Sequence, residues 1–196
     1  MIPKILQSVR SKGYAIFTNG SYNINIVGVR SDSNIPNSFD DTLYVVFKDG
    51  CGDWVELCFK ITTDPGKYWL ENPMRVEGAA ILVEGQYRSA YRIDKHRGKY
   101  DALCQREAKV KVYRDGNKDL ILDHDIENIS SGYFGINIHK ASATRASTEV
   151  NKWSAGCQVF SNPDDFELFM SICRISAEKY GNKFTYTLIE EGDING

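Results

Sequence analysis

Apolar and polar positions alternate through much of the first 160 residues, and a helical period appears only near the two ends of the chain. Ile2, Ile5, Leu6 and Val9 share one side of a helix over Ile2 to Lys12, stopped by Gly13. From Trp54 to Ile61 the side chains divide cleanly, with Val55, Leu57, Phe59 and Ile61 on one face and Trp54, Glu56, Cys58 and Lys60 on the other. This strand pairs with Leu43 to Phe47 through the turn-rich loop Lys48-Asp49-Gly50-Cys51-Gly52-Asp53. Further strands are predicted at Asn23 to Arg30, Gly78 to Val83, Tyr87 to Ile93, Ala108 to Tyr113, Ile136 to His139, Gly156 to Phe160 and Phe184 to Ile189. Thr62-Thr63-Asp64-Pro65-Gly66 reads as a strand-ending turn that leaves Tyr68 and Trp69 exposed.

One long helix is expected from Asn162 to Tyr180. Asn162 can cap it, Pro163 suits its first turn, Asp164 and Asp165 complement its dipole, and Gly181 ends it. Phe166, Phe169, Met170, Cys173, Ala177 and Tyr180 form one apolar stripe, which makes Cys173 a core residue. The pattern as a whole is that of a mostly β, α+β protein.

Composition narrows the function classes. The 196 residues are 42% hydrophobic and 26% charged, ordinary globular values that exclude disorder and collagen-like fibres. A net charge of −2 gives no overall footprint for nucleic acid or an anionic membrane. No run approaches the ~20 apolar residues of a membrane span. The stretch from Met1 to Ser11 lacks a signal-peptide core, which points to synthesis in the cytoplasm without a signal peptide.

The five cysteines, Cys51, Cys58, Cys104, Cys157 and Cys173, are odd in number and widely spaced, so a disulfide framework is not expected. No Cys-x-x-Cys pair occurs, and His96, His124 and His139 are far apart, so neither a metal nor another cofactor is expected. Cys58 and Cys104 read as core thiols and Cys51 as a turn residue. Asp115-Gly116-Asn117-Lys118-Asp119 reads as a turn, because Leu120 and Ile126 stand where a calcium loop needs glycine and glutamate.

Cys157 has different neighbours. In Trp153-Ser154-Ala155-Gly156-Cys157-Gln158-Val159-Phe160 it follows a glycine, which lets backbone approach a substrate and leaves amides free to bind an oxyanion. In Phe134-Gly135-Ile136-Asn137-Ile138-His139 the alternation sends Asn137 and His139 away from Ile136 and Ile138. An imidazole beside a thiol can take its proton and deliver it to a leaving amine. The residues alone leave this open against a strand-end histidine and a core cysteine.

His139, fourteen intervening residues and then Ser154-x-Gly156-Cys157 resembles the signature of the L,D-transpeptidase catalytic domain, the YkuD-type family. Tyr133-Phe134-Gly135-Ile136 is similar to that family's approach to its histidine, and the resemblance is clear over residues 131 to 160. Papain-like and NlpC/P60-like peptidases place the cysteine before the histidine, the opposite order.

The resemblance implies an L,D-transpeptidase-like β-sandwich or barrel acting on peptidoglycan stem peptides. It implies Cys157 as nucleophile, His139 as base and acid, Gly156 with Cys157 as oxyanion donors, and Ser154 as a support for the histidine. This chain is a divergent member of that pattern: Ala155 stands where the family has a second histidine, and Val159 where it has a polar residue on the substrate side. The expectation is therefore hydrolysis, as an L,D-carboxypeptidase or endopeptidase, through a Cys157 thioester. The alternatives are a true cross-linking L,D-transpeptidase and a non-catalytic virion or wall-binding module of the same fold.

Between Arg88 and Lys118, ten basic residues face four acidic ones. A basic rim suits a substrate rich in carboxylates, and a solvated charged face is the alternative. Tyr87, His96 and Arg97 there, with Arg145 and Trp153 near the cysteine, are the candidate substrate-binding residues. The expected division is residues 1–75, a helix and β-hairpin region packed on the core, and residues 76–196, the catalytic domain, with one single domain as the alternative. A wall or periplasmic enzyme without a signal peptide fits a phage virion component or lysis enzyme, whose partners would be peptidoglycan and other virion or lysis proteins.

Overall fold

A computed structural model describes residues 1–33 and 35–194. In chain order its elements are α1 (Lys4–Ser11), β1 (Asn25–Arg30), β2 (Asp41–Lys48), β3 (Trp54–Thr62), α2 (Lys67–Glu71), β4 (Ala79–Leu82), β5 (Gly85–His96), β6 (Tyr100–Gln105), β7 (Val110–Asp115), β8 (Ile129–Gly132), β9 (Ile138–Lys140), β10 (Gln158–Phe160), α3 (Pro163–Tyr180) and β11 (Phe184–Glu190). The protein is thus mostly β, with a long C-terminal helix.

Eight strands close a barrel in the order β1-β11-β5-β6-β9-β10-β3-β2, and β4-β7-β8 form a small second sheet. The β1/β11 and β9/β10 pairs are parallel and the other strand pairs antiparallel. Inside lie Leu43, Val45, Phe59, Ile61 and Leu188, covered by Phe166, Phe169, Met170 and Cys173 of α3. Helix α1 presses Ile5, Leu6 and Val9 against Val27, Val29, Val46 and Ile189 outside the barrel. For that reason β1 is buried along its whole length instead of alternating. Strands β1, β2 and β3 are staves of the barrel itself, so of the expected N-terminal helix and strand layer the helix packs outside the barrel while the strands form part of its wall.

The local signals for α3 operate as expected: Asn162 Oδ1 accepts from the Asp164 amide at 2.9 Å, Pro163 opens the helix, and Gly181 closes it at φ 87°. Helix α1 is shorter than its apolar pattern, because it lacks a side-chain cap and an acidic first turn. Cys58, expected in the core, is exposed, since the outer face of β3 has no covering element there. Two strands were not foreseen, β6 and β8, and α2 stands directly after the expected turn, with Trp69 Nε1 donating to the Lys152 carbonyl at 3.1 Å.

The segment from His96 to Tyr100 is the turn of the β5/β6 hairpin, in which His96 pairs with Tyr100. Much of the basic segment is neutralised there. Lys95 meets Asp101 at 2.7 Å, Arg106 meets Asp94 at 3.2 Å and Arg92 meets Glu107 at 3.2 Å. These exposed pairs make an ordinary charged face and add little stability. Among the described residues no helix is long and apolar enough to cross a membrane.

Candidate functional site

The parallel pair β9/β10 sets the geometry. Its register places Gln158 beside Ile138 and Val159 beside His139. Residues paired in this way project to the same side, and alternation then puts Cys157 and Val159 on one face with Asn137 and His139. Ile138 and Phe160 enter the barrel core from the other face, where Gln158 Oε1 accepts from the Tyr186 hydroxyl at 2.8 Å. The sequence-predicted cysteine and histidine are therefore brought to adjacent strands and one shared face.

The Cys157 sulfur is held by the strand that leads to His139. It accepts from the Asn137 amide at 3.4 Å, and its S–H donates to the Gly135 carbonyl at 3.4 Å. Burial pushes the thiol up to about 11, against the opposing pull of the Asn137 amide and the Arg97 guanidinium.

His139 is buried, with Nδ1 2.8 Å from the Lys140 carbonyl. A carbonyl can only accept, so Nδ1 carries the proton and Nε2 presents the lone pair. The Tyr100 hydroxyl donates to the same carbonyl at 3.3 Å. Burial, reinforced by His96, pushes His139 down to about 3. At neutral pH the resting pair is thus neutral thiol and neutral imidazole, with no standing thiolate.

A hydrogen-bond chain holds His96 neutral as well. The Gln105 amide donates to Asn137 Oδ1 at 2.9 Å, which fixes the orientation of that side chain. Asn137 Nδ2 therefore donates to His96 Nδ1 at 3.1 Å, and that nitrogen has no proton. Burial and the nearby Arg97 and Arg106 charges lower His96 to about 4. His96, expected to line a substrate loop, is buried and stacks on His139 with ring centroids 4.1 Å apart.

Ser154 and Gly156 take roles other than those expected. The Ser154 hydroxyl donates to the Cys157 carbonyl at 2.8 Å and accepts from the Gly156 amide at 3.1 Å. Ser154 thus closes the cysteine loop and does not bond to His139. The Gly156 amide is already committed, so it is not an oxyanion donor; among the described residues the Cys157 amide donates to nothing. Gly156 is needed for another reason: at φ 118° a Cβ would lie 2.2 Å from the Ala80 carbonyl oxygen, so β4 backbone closes directly on this position. Val159 is fully buried beside Phe39, Ala141 and Val150, an apolar cluster in which an unpaired polar group would be costly.

The remaining candidates divide. Arg97, at the hairpin tip with φ 50°, contributes its charge to Cys157, His139 and His96. Tyr87 is not a substrate wall, because its hydroxyl donates to the Val83 carbonyl at 2.5 Å and the residue packs on the core. Arg145 and Trp153 share a cleft of about 630 Å³ in the loop between β9 and β10, and its lining includes neither Cys157 nor His139.

Gln105 was not foreseen. Its Oε1 accepts from three successive amides, Phe134 at 3.1 Å, Gly135 at 2.9 Å and Ile136 at 3.2 Å. Its Nε2 donates to the Ala108 carbonyl at 3.0 Å and the Gly132 carbonyl at 2.9 Å. One side chain thereby shapes the turn whose Gly135 carbonyl meets the Cys157 thiol, and no local sequence signal marks it. Comparison with protein families, curated proteins and solved structures returned no match.

Proposed function

We propose that the protein is a cysteine-dependent hydrolase of peptidoglycan stem peptides, acting as an L,D-carboxypeptidase or endopeptidase. The observation that carries this reading is the common face of Cys157 and His139 on parallel strands, with His139 Nδ1 tied to the Lys140 carbonyl and Nε2 left as a base. The substrate class rests on the motif resemblance over residues 131 to 160.

In the proposed reaction His139 Nε2 takes the Cys157 proton as the sulfur attacks the scissile carbonyl, because neither group is charged beforehand. The Cys157 amide is the available donor for the oxyanion. Collapse breaks the C–N bond, the amine leaves with the proton from His139, and a Cys157 thioester remains. Water then gives a proton to His139, attacks the thioester and releases the acid, and the proton returns to sulfur. The buried Val159 leaves no polar group at that position to hold an amine acceptor, which favours water over cross-linking.

Digestion of purified sacculi by the wild type and by Cys157→Ala, with fragments read by mass spectrometry, tests this. Release of stem-peptide fragments by the wild type alone supports it, and no fragments from several wall chemotypes would overturn it. A second reading, a non-catalytic wall-binding or virion module, is favoured by the neutral, hydrogen-bonded resting thiol. Binding to sacculi without any cleavage would establish that reading instead.

A further inference from the structure

Beside the cysteine loop, Arg114 is 5% exposed and has no carboxylate partner among the described residues. Its guanidinium makes two long hydrogen bonds, Nε to the Ser130 hydroxyl and Nη1 to the Gly78 carbonyl, each 3.4 Å, and among the described residues Nη2 has no acceptor. A buried cation without a counter-ion is costly, and a guanidinium keeps its charge at any ordinary pH. A second cation lies close by. Arg75 and Arg114 both sit over the Phe134 ring, at 5.6 Å and 4.6 Å from its centroid. Glu77 is close enough for its charge to act on Arg114, but among the described residues no carboxylate oxygen comes within 4.0 Å of either guanidinium.

The two arginines and Phe134 line one small cleft of about 60 Å³, whose wall is completed by Ile136 and Ala155, two residues before Cys157. That volume holds a few water-sized atoms, enough for a carboxylate and too little for a sugar ring.

We propose that this cleft is a carboxylate subsite, in which the Arg75 and Arg114 guanidinium groups bind the terminal carboxylate of a peptide seated on the cysteine loop. A planar carboxylate matches the forked donors of arginine, and it supplies the directly bonded anion that Arg114 lacks. The Phe134 ring keeps both guanidinium groups in place from behind. This assignment rests on the proposed stem-peptide reading, and it names the part of that ligand which the site selects.

The test uses Cys157→Ala, which cannot turn over, and calorimetric titration with the stem tetrapeptide or with the same peptide as its C-terminal amide. The acid is expected to bind at least tenfold more tightly than the amide, and Arg75→Gln is expected to abolish that preference. Arg75 is exposed, so its replacement leaves the fold in place, while Arg114→Lys keeps the buried charge and removes the fork. Failure of the acid to bind more tightly than the amide, or a preference that survives both arginine changes, would overturn the subsite. An arginine-dependent preference in a protein that never cleaves sacculi would keep the subsite and reject the hydrolase. Cleavage with no such preference would do the reverse.

Discussion

The imidazole of His96 lies face to face with that of His139, the ring planes inclined by 26°. Both rings are buried and both must stay neutral, His96 because it accepts from Asn137 and His139 because its surroundings exclude charge. Their native values, about 4 and about 3, lie below the ordinary 6.5. The unfolded chain therefore takes up protons that the native state refuses, and stability present above pH ~6.5 is lost as the pH falls. At pH 5 the loss is about 2 kcal/mol per histidine.

Asp41 and Asp115 act in the opposite sense. Burial raises them to about 7 and about 6, so they favour the native state at acid pH and offset part of the loss. A difference measurement isolates the histidine: urea unfolding of the wild type and His96→Gln at pH 7 and pH 5. The variant is expected to lose about 2 kcal/mol less than the wild type between the two. Identical losses would show that His96 is not held neutral.

Gln105→Ala removes the acceptor of three amides and the donor to two carbonyls in the turn before β9. A cost of at least about 3 kcal/mol follows from buried groups left without partners, which corresponds to a fall of roughly 6–12 °C in Tm for a chain of this size. A calorimetric scan that moves by less than about 2 °C would mean that water replaces the side chain without loss.

Much of the architecture was legible in the chain, and the exceptions share a cause. Helix α3 declares itself through local signals at both ends, Asn162, Pro163 and Gly181. Strand β3 shows itself because only one of its faces is covered. Strand β6 does not, because Ala102, Leu103, Cys104 and Gln105 are buried in succession and no period of two survives. Spacing and alternation foretell that Cys157 and His139 stand on adjacent strands and one face, although the sulfur bonds to Asn137 and Gly135 and not to the imidazole. The role of His96 was not legible, since it depends on a hairpin folding back over β9, a contact between residues far apart in sequence. Spacing marks Ser154 as part of the motif, but its partners are set by the tightness of the loop, which brings the Cys157 carbonyl and Gly156 amide to its hydroxyl.

Thiol chemistry offers another check. With Cys157 protonated up to about 11, iodoacetamide at pH 7 is expected to modify the exposed Cys51 well before Cys157. Labelling of Cys157 is expected to accelerate steadily as the pH rises toward that value. Peptide mass mapping of the alkylated protein follows both sites at once. Cys157 reacting faster than Cys51 at pH 6 would reveal a standing thiolate and contradict the neutral resting pair.

In the proposed reaction Cys157 forms a thioester with a stem peptide, using His139 as base. Its most direct test is intact-mass spectrometry of the protein incubated with stem tetrapeptide and quenched in acid, in the wild type, Cys157→Ala and His139→Gln. The expected result is an acyl adduct that maps to Cys157, is released by hydroxylamine, is absent from Cys157→Ala, and forms at least a hundredfold more slowly in His139→Gln, within the usual ~100 to 10,000-fold contribution of general-base catalysis. No adduct and no cleaved peptide with the wild type, or an adduct that persists in Cys157→Ala, would contradict it.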